Sequence, residues 1–203
     1  MKKLKSQVSR RSFFSNSAVL AGAGLCLPYS LRAEKNAVTK VHVVFKTHLD
    51  VGFTDLGEKV VQRYLTSFIP KAMDLAKTMR EKYSESRFRW TTGSWLIYRY
   101  LEEADEAGRK RMEEGILAGD ICWHALPATL QPEALDGSLF DLGIELSKRM
   151  DKRFGKKTIG AKMTDVPGHT RSIVPRLQKA GIKFLHIGVN PASRPPDVPR
   201  FFN

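Results

Sequence analysis

Cysteine is scarce in this chain, with two among 203 residues, Cys26 and Cys122. Cys26 lies in a segment read below as a leader, so the processed chain keeps one thiol and no intramolecular disulfide can form. Cys122, next to Trp123, reads as a small apolar core residue. A long hydrophobic run is also missing. The apolar stretch Ala18 to Pro28 is too short to span a bilayer, which excludes a stable membrane span. Acidic residues are absent from 1–33, where Lys2, Lys3, Lys5, Arg10, Arg11 and Arg32 stand unopposed. Taking those six from the formal charge of +13 leaves +7. The remaining basic residues scatter along helical faces, as at Arg109, Lys110 and Arg111 or Arg149, Lys152 and Arg153. Such runs are solvated faces, and no nucleic-acid partner is expected.

What is present suits a soluble globular protein: 42% apolar and 27% charged residues. The first 33 residues run basic, then apolar, then small, the order of an export signal. Within them Ser9 to Phe14 reads SRRSFF, which resembles a twin-arginine motif. Ser30-Leu31-Arg32-Ala33 offers cleavage after Ala33. The expected organisation is therefore a twin-arginine signal peptide over 1–33 and one catalytic domain over 34–203. The expected partner is the twin-arginine export machinery, and the expected address is the bacterial periplasm or beyond.

After the leader, strand-like and helix-like segments alternate. Val41–Phe45, Phe88–Thr92, Gly119–His124, Ile159–Thr164 and Ile182–Val189 read as five strands, rich in β-branched and aromatic residues. Between them, Val61, Leu65, Phe68, Ala72, Leu75 and Met79 recur at helical spacing over Glu58 to Lys82, with Pro70 expected to kink or divide the helix. Ser94–Glu103 and Asp105–Leu117 also read as helical, as does the stretch marked by Leu139, Leu142, Leu146 and Met150 and ended near Gly155. Thr170 is placed to cap a last helix carrying Ile173, Val174, Leu177 and Ala180, with Gly181 as its stop. Strand alternating with helix, without hairpin signals, predicts right-handed crossovers and a parallel α/β sheet. The tail from Asn190 to Asn203 reads as loop. Five strands followed by an unfinished loop fit the N-terminal part of a β/α barrel.

In such folds ligands meet the loops at the carboxyl ends of the strands. Polar, ligand-capable residues gather there. The first strand ends in Lys46-Thr47-His48-Leu49-Asp50-Val51-Gly52, the third in Trp123-His124-Ala125, the fourth in Thr164-Asp165-Val166-Pro167-Gly168-His169-Thr170. His48 and Asp50, two apart in an extended segment, point to one side and can share a divalent cation. Asp165 arrives at the same rim from another strand, giving a partial zinc site of one nitrogen and two oxygens. Bland readings stand beside these. His48 also suits a buried histidine bonded to backbone, and Asp50 and Asp165 suit turn caps. His169 either positions the loop or touches substrate. His124 either lines the pocket or packs beside Trp123. His42 and His186, inside strands, are expected as core or interhelical residues without chemical roles.

At this point the motifs match a family. KTHLDVGFTD, from Lys46, resembles the first-strand segment of glycoside hydrolase family 38, the α-mannosidases, and TDVPGHT, from Thr164, resembles that family's Asp-Pro-Phe-Gly-His segment. GDICWHALPATLQPEALDGSL is similar to its third-strand region, and HIGVNPASRPPDVP points to a bacterial branch. The resemblance covers about Lys40 to Pro199. It implies the N-terminal part of a seven-stranded parallel β/α barrel, one Zn2+, and an oligosaccharide or glycan substrate. His48, Asp50 and Asp165 would be metal ligands and Asp165 the nucleophile. Phe53, Trp123, His124 and His169 would meet the sugar. The fourth ligand and the acid/base carboxylate would lie further along, so the truncated chain by itself is expected to be inactive. Val166 and Pro167 depart from the family's aromatic-containing segment. Two other readings stay open: a metal-dependent carbohydrate deacetylase, whose His-x-x-x-His pair is missing here, and a sugar-binding remnant without catalysis.

Overall fold

A computed structural model describes residues 41, 43–83, 87–166, 168–190, 192, 193 and 197. The leader, His42 and Pro167 lie outside the described residues, as does most of the tail. The elements below all belong to one compact unit, Val43–Asn203.

Five strands alternate with helices, as the periodicity predicts. In chain order they are β1 (Phe45–Lys46), α1 (Gly57–Arg63), a π-helical turn (Tyr64–Phe68), α2 (Ile69–Lys82), β2 (Trp90–Gly93), α3 (Ser94–Glu103), α4 (Glu106–Ala118), β3 (Ile121–His124), a short 3-10 turn (Pro132–Ala134), α5 (Gly137–Phe154), β4 (Gly160–Val166), α6 (Ile173–Lys179) and β5 (Phe184–Val189). All observed pairings are parallel: β1 with β2, β2 with β3, and β4 with β5. The two ladders meet where the Ala125 N–H donates to the Gly160 carbonyl at 2.9 Å. The fold is thus mixed α/β with parallel strands.

Three details depart from the sequence expectation. The first strand is short. Val43 and Val44 are exposed, and among the described residues of this segment only Phe45 and Lys46 pair with β2. The helix around Pro70 is divided, as expected, with a π turn at the division, but its phase differs from the spacing read in the sequence. Pro70 lacks an N–H and crowds the preceding turn, and the wider turn relieves that. The extra residue shifts the helical phase. Leu65, Ile69, Ala72, Met73 and Ala76 face inward, while Phe68 and Leu75 are exposed. On α5 the buried stripe is Phe140, Ile144, Ser147 and Met150, and Leu139 and Leu142 face solvent. The last helix starts later than Thr170. Its N-cap is Ser172, whose N–H donates to the Thr170 hydroxyl at 3.4 Å.

The strands have two chemically different faces. Parallel partners point to the same side. Trp90, Thr92, Ile121, Trp123, Ala161 and Met163 face the helices and are buried. The alternate set, including Lys46, Thr91, His124, Lys162 and His186, faces the opposite side. His186 therefore does not belong to the core; it is exposed on that polar face, with Nε2 3.5 Å from Lys46 Nζ.

The loop after β3 is tied to the start of α3. The Ser94 and Trp95 N–H groups donate to the Leu126 and Pro127 carbonyls, both at 3.1 Å, which uses donors a helix start leaves free. Gly93 makes this possible, since a Cβ there would collide with the Pro127 backbone. Gly93→Ala should therefore destabilise the fold by about 1–3 kcal/mol. Gly160→Ala, where a Cβ meets nothing, should be near neutral. Denaturant unfolding of the two variants checks this contrast.

Candidate functional site

The fourth strand does not end at Thr164. It runs on to Val166 through a bulge in which Thr164 pairs with Gly188, Val166 pairs with Val189, and Asp165 is skipped. Asp165 has φ 62, the left-handed region, and no other described non-glycine residue does. Aspartate tolerates that region better than most side chains. In strict alternation Asp165 would follow Ala161 and Met163 into the helical layer. The bulge puts Val166 there instead, 1% exposed, and leaves the carboxylate at the mouth.

At that mouth Asp165 meets His48, with His48 Nε2 3.5 Å from Asp165 Oδ2. The other carboxylate oxygen, Oδ1, accepts from Asn190 Nδ2 at 2.7 Å. His48 Nδ1 lies 3.5 Å from the Thr129 hydroxyl, and its backbone carbonyl accepts from the Tyr64 hydroxyl at 3.2 Å. Five segments thus hold the pair: the end of β1, the π turn, the bulge of β4, the residue after β5, and the loop after β3. Asn190 and Thr129 were missed in the sequence. Asn190 stands at a strand's carboxyl end, so the rule that found Asp165 also reaches it. Thr129 carries no such signal.

The remaining expected site residues are more dispersed. Asp50 is half-buried beside Tyr64, whose phenol is shifted up by burial and then by the Asp50 charge. Alternation does not carry Asp50 to His48, because β1 stops at Lys46. Phe53 is 87% exposed. Trp123 turns to the helices: its ring lies 5.9 Å from that of Phe154, and its Nε1 donates to Asp151 at 3.0 Å. It is a core residue and not a wall of the cleft. His124 takes the inward position and lines a small cleft with Thr47, Leu49, Gly93, Thr129 and Lys162. Its Nδ1 is buried without a partner. His169 is half-buried with both ring nitrogens unpartnered, and it lies near Glu133. A larger cavity, about 380 Å3, opens at the other end of the strands beside Lys156 and Lys157. It shares His124 with the small cleft, and neither His48 nor Asp165 lines it.

The donor set fits a metal only in part. Two ligands each about 2.1 Å from a tetrahedral zinc are roughly 3.4 Å apart, close to the separation of His48 Nε2 and Asp165 Oδ2. A third donor is needed, and among the described residues no group of three or more His, Cys, Asp or Glu side chains is arranged to hold a metal ion. The arrangement as it stands is a two-donor site.

With this geometry, comparison with known proteins adds the fold. The chain is similar to the solved structure of a 4-alpha-glucanotransferase from Thermococcus litoralis, with TM-score 0.52 and 18% identity. The likeness covers 70% of this chain and 22% of that one. No family model matches the chain, and no curated protein matches it. Likeness at that identity speaks to architecture alone. No helix among the described residues is long and apolar enough to cross a membrane.

Burial, followed by the charges of Lys162 and Lys46, holds His124 down at about 4 against an ordinary 6.5. The unfolded chain therefore takes up a proton between those values that the native fold resists. Stability falls as pH drops through that window, by on the order of 3 kcal/mol in all. His124→Gln should flatten that part of the stability profile, measured by denaturant unfolding from pH 7 to pH 4. An unchanged acid slope would place the titration elsewhere.

Proposed function

We propose that the chain carries part of the catalytic domain of an exported carbohydrate-active enzyme, a glycoside hydrolase of the α-mannosidase type with Asp165 as nucleophile. The observation that carries this reading is the meeting of His48 and Asp165, from β1 and β4, at one strand-end mouth. The β/α pattern, the family resemblance of the two motifs and the fold likeness to a glucanotransferase all support it. In a retaining mechanism one carboxylate attacks the anomeric carbon, and a second group, roughly 5 Å away, protonates the leaving oxygen. Asn190 fixes one oxygen of Asp165, which leaves Oδ2 as the attacking atom. The loop holding Thr129 limits rotation of the imidazole. The seven-stranded barrel, the acid/base carboxylate further along, and twin-arginine export directed by Ser9 to Phe14 belong to the same proposal. So does zinc, which would supply positive charge beside the carboxylate; it requires Asp50 or another donor to join the pair.

A second reading, sugar binding without catalysis, is favoured by the two-donor state of the site. Two measurements separate them. In the present chain, calorimetry with methyl α-mannoside should show saturable binding that Asp165→Ala weakens. In a polypeptide carrying the complete barrel, Asp165→Ala should lower aryl mannoside hydrolysis by at least about 10³-fold. Binding without any hydrolysis in the complete barrel would favour the second reading, and wild-type turnover by Asp165→Ala would refute the nucleophile.

A further inference from the structure

Below the His48–Asp165 pair, the polar face of the strands carries positive charge without a counter-charge. Lys46, the last residue of β1, is the register partner of Thr91 on that face. Lys162, three residues before Asp165, is 9% exposed, and its Nζ donates to the Thr47 carbonyl at 3.1 Å. Lys162 is the register partner of His186, and His186 Nε2 lies 3.5 Å from Lys46 Nζ. His186 thus links the two lysines on one face, the exposed Lys46 from β1 and the buried Lys162 from β4. Each raises the cost of charging the other. Lys162 is held down to about 8, first by burial and then by the Lys46 charge.

Among the described residues neither lysine has a carboxylate within ion-pair distance. A buried ammonium is stable when it is paired and costly when it is not; of the two lysines only Lys162 is buried, with the Thr47 carbonyl as its acceptor. The floor also offers a neutral donor set suited to an anion. His124, 8% exposed, has an unpartnered Nδ1 and shares the cleft with Lys162. A single oxyanion lodged there would satisfy both ammonium groups.

We infer that the floor of the cleft at Lys162 and His124, with Lys46 beside it, is an oxyanion-binding site, and that the saccharide entering this mouth bears a carboxylate or a sulfate ester. The saccharide half rests on the function proposed above; the anion half rests on the lysines alone. The fit is one of charge.

The test is thermal unfolding of the 203-residue chain in sodium sulfate and in sodium chloride at matched ionic strength. Sulfate should raise Tm along a saturating curve that chloride does not reproduce. Lys162→Met and Lys46→Met should each weaken the sulfate response about tenfold. Lys46 is exposed, so its variant keeps the test decisive should Lys162→Met fail to fold. Equal responses to the two salts, or a wild-type sulfate response in Lys46→Met, overturn the anion site. Calorimetry with methyl α-mannoside, its uronate and its sulfate ester then identifies the source of charge. Preference for the uronate or for the ester identifies the anionic group. A sulfate response with no preference among the three sugars overturns the saccharide half. Binding of the neutral mannoside without a sulfate response overturns the inference and leaves the hydrolase reading standing.

Discussion

The bulge in β4 is the constraint on which the site depends. One extra residue between Thr164 and Val166 lets a single strand do two incompatible things. Val166 continues the apolar row against α5 and α6, where Phe140, Ile144, Ile173 and Leu177 are buried. Asp165, released from the ladder, reaches His48. A regular strand would point the carboxylate into that apolar layer, where an unpaired charge is costly. The left-handed backbone at Asp165 costs about 1–3 kcal/mol, and the packed strands on either side hold it in place.

The same alternation explains why the polar face is so unlike the helical one. Outward positions take Trp90, Ile121, Trp123 and Met163 and supply the core. Inward positions take Lys46, His124, Lys162 and His186, side chains that a core would reject. The loop after β3 links the two faces. It is anchored to the start of α3 through Leu126 and Pro127, and it presents Thr129 to the His48 ring. Movement of that loop would alter both the imidazole and the wall of the cleft.

The strand-helix order, the parallel pairing and the gathering of His48 and Asp165 at one rim were legible in the sequence. They follow from periodicity and from the rule that ligands meet strand ends. The phase of individual helices was less legible. Phe68 and Leu75 match helical spacing as well as Ile69 and Met73 do, and only the π turn decides between them. Trp123 reads equally well as a sugar platform or as core, because alternation fixes its side only once the strand's neighbours are known. Alternation does not fix the relative sides of His48 and Asp50, because β1 ends before both. Lys46 and Lys162 carry a further signal: a charged residue at an inward strand position marks a place where the interior is built for something other than apolar packing.

The most direct test of the central claim is a double-mutant cycle on saccharide affinity with His48→Ala, Asp165→Ala and both together. If the two side chains act on one ligand at one mouth, the coupling energy should be about 1 kcal/mol or more. Losses that add within about 0.5 kcal/mol, or substitutions that leave affinity untouched, would show that the two residues do not form a common site.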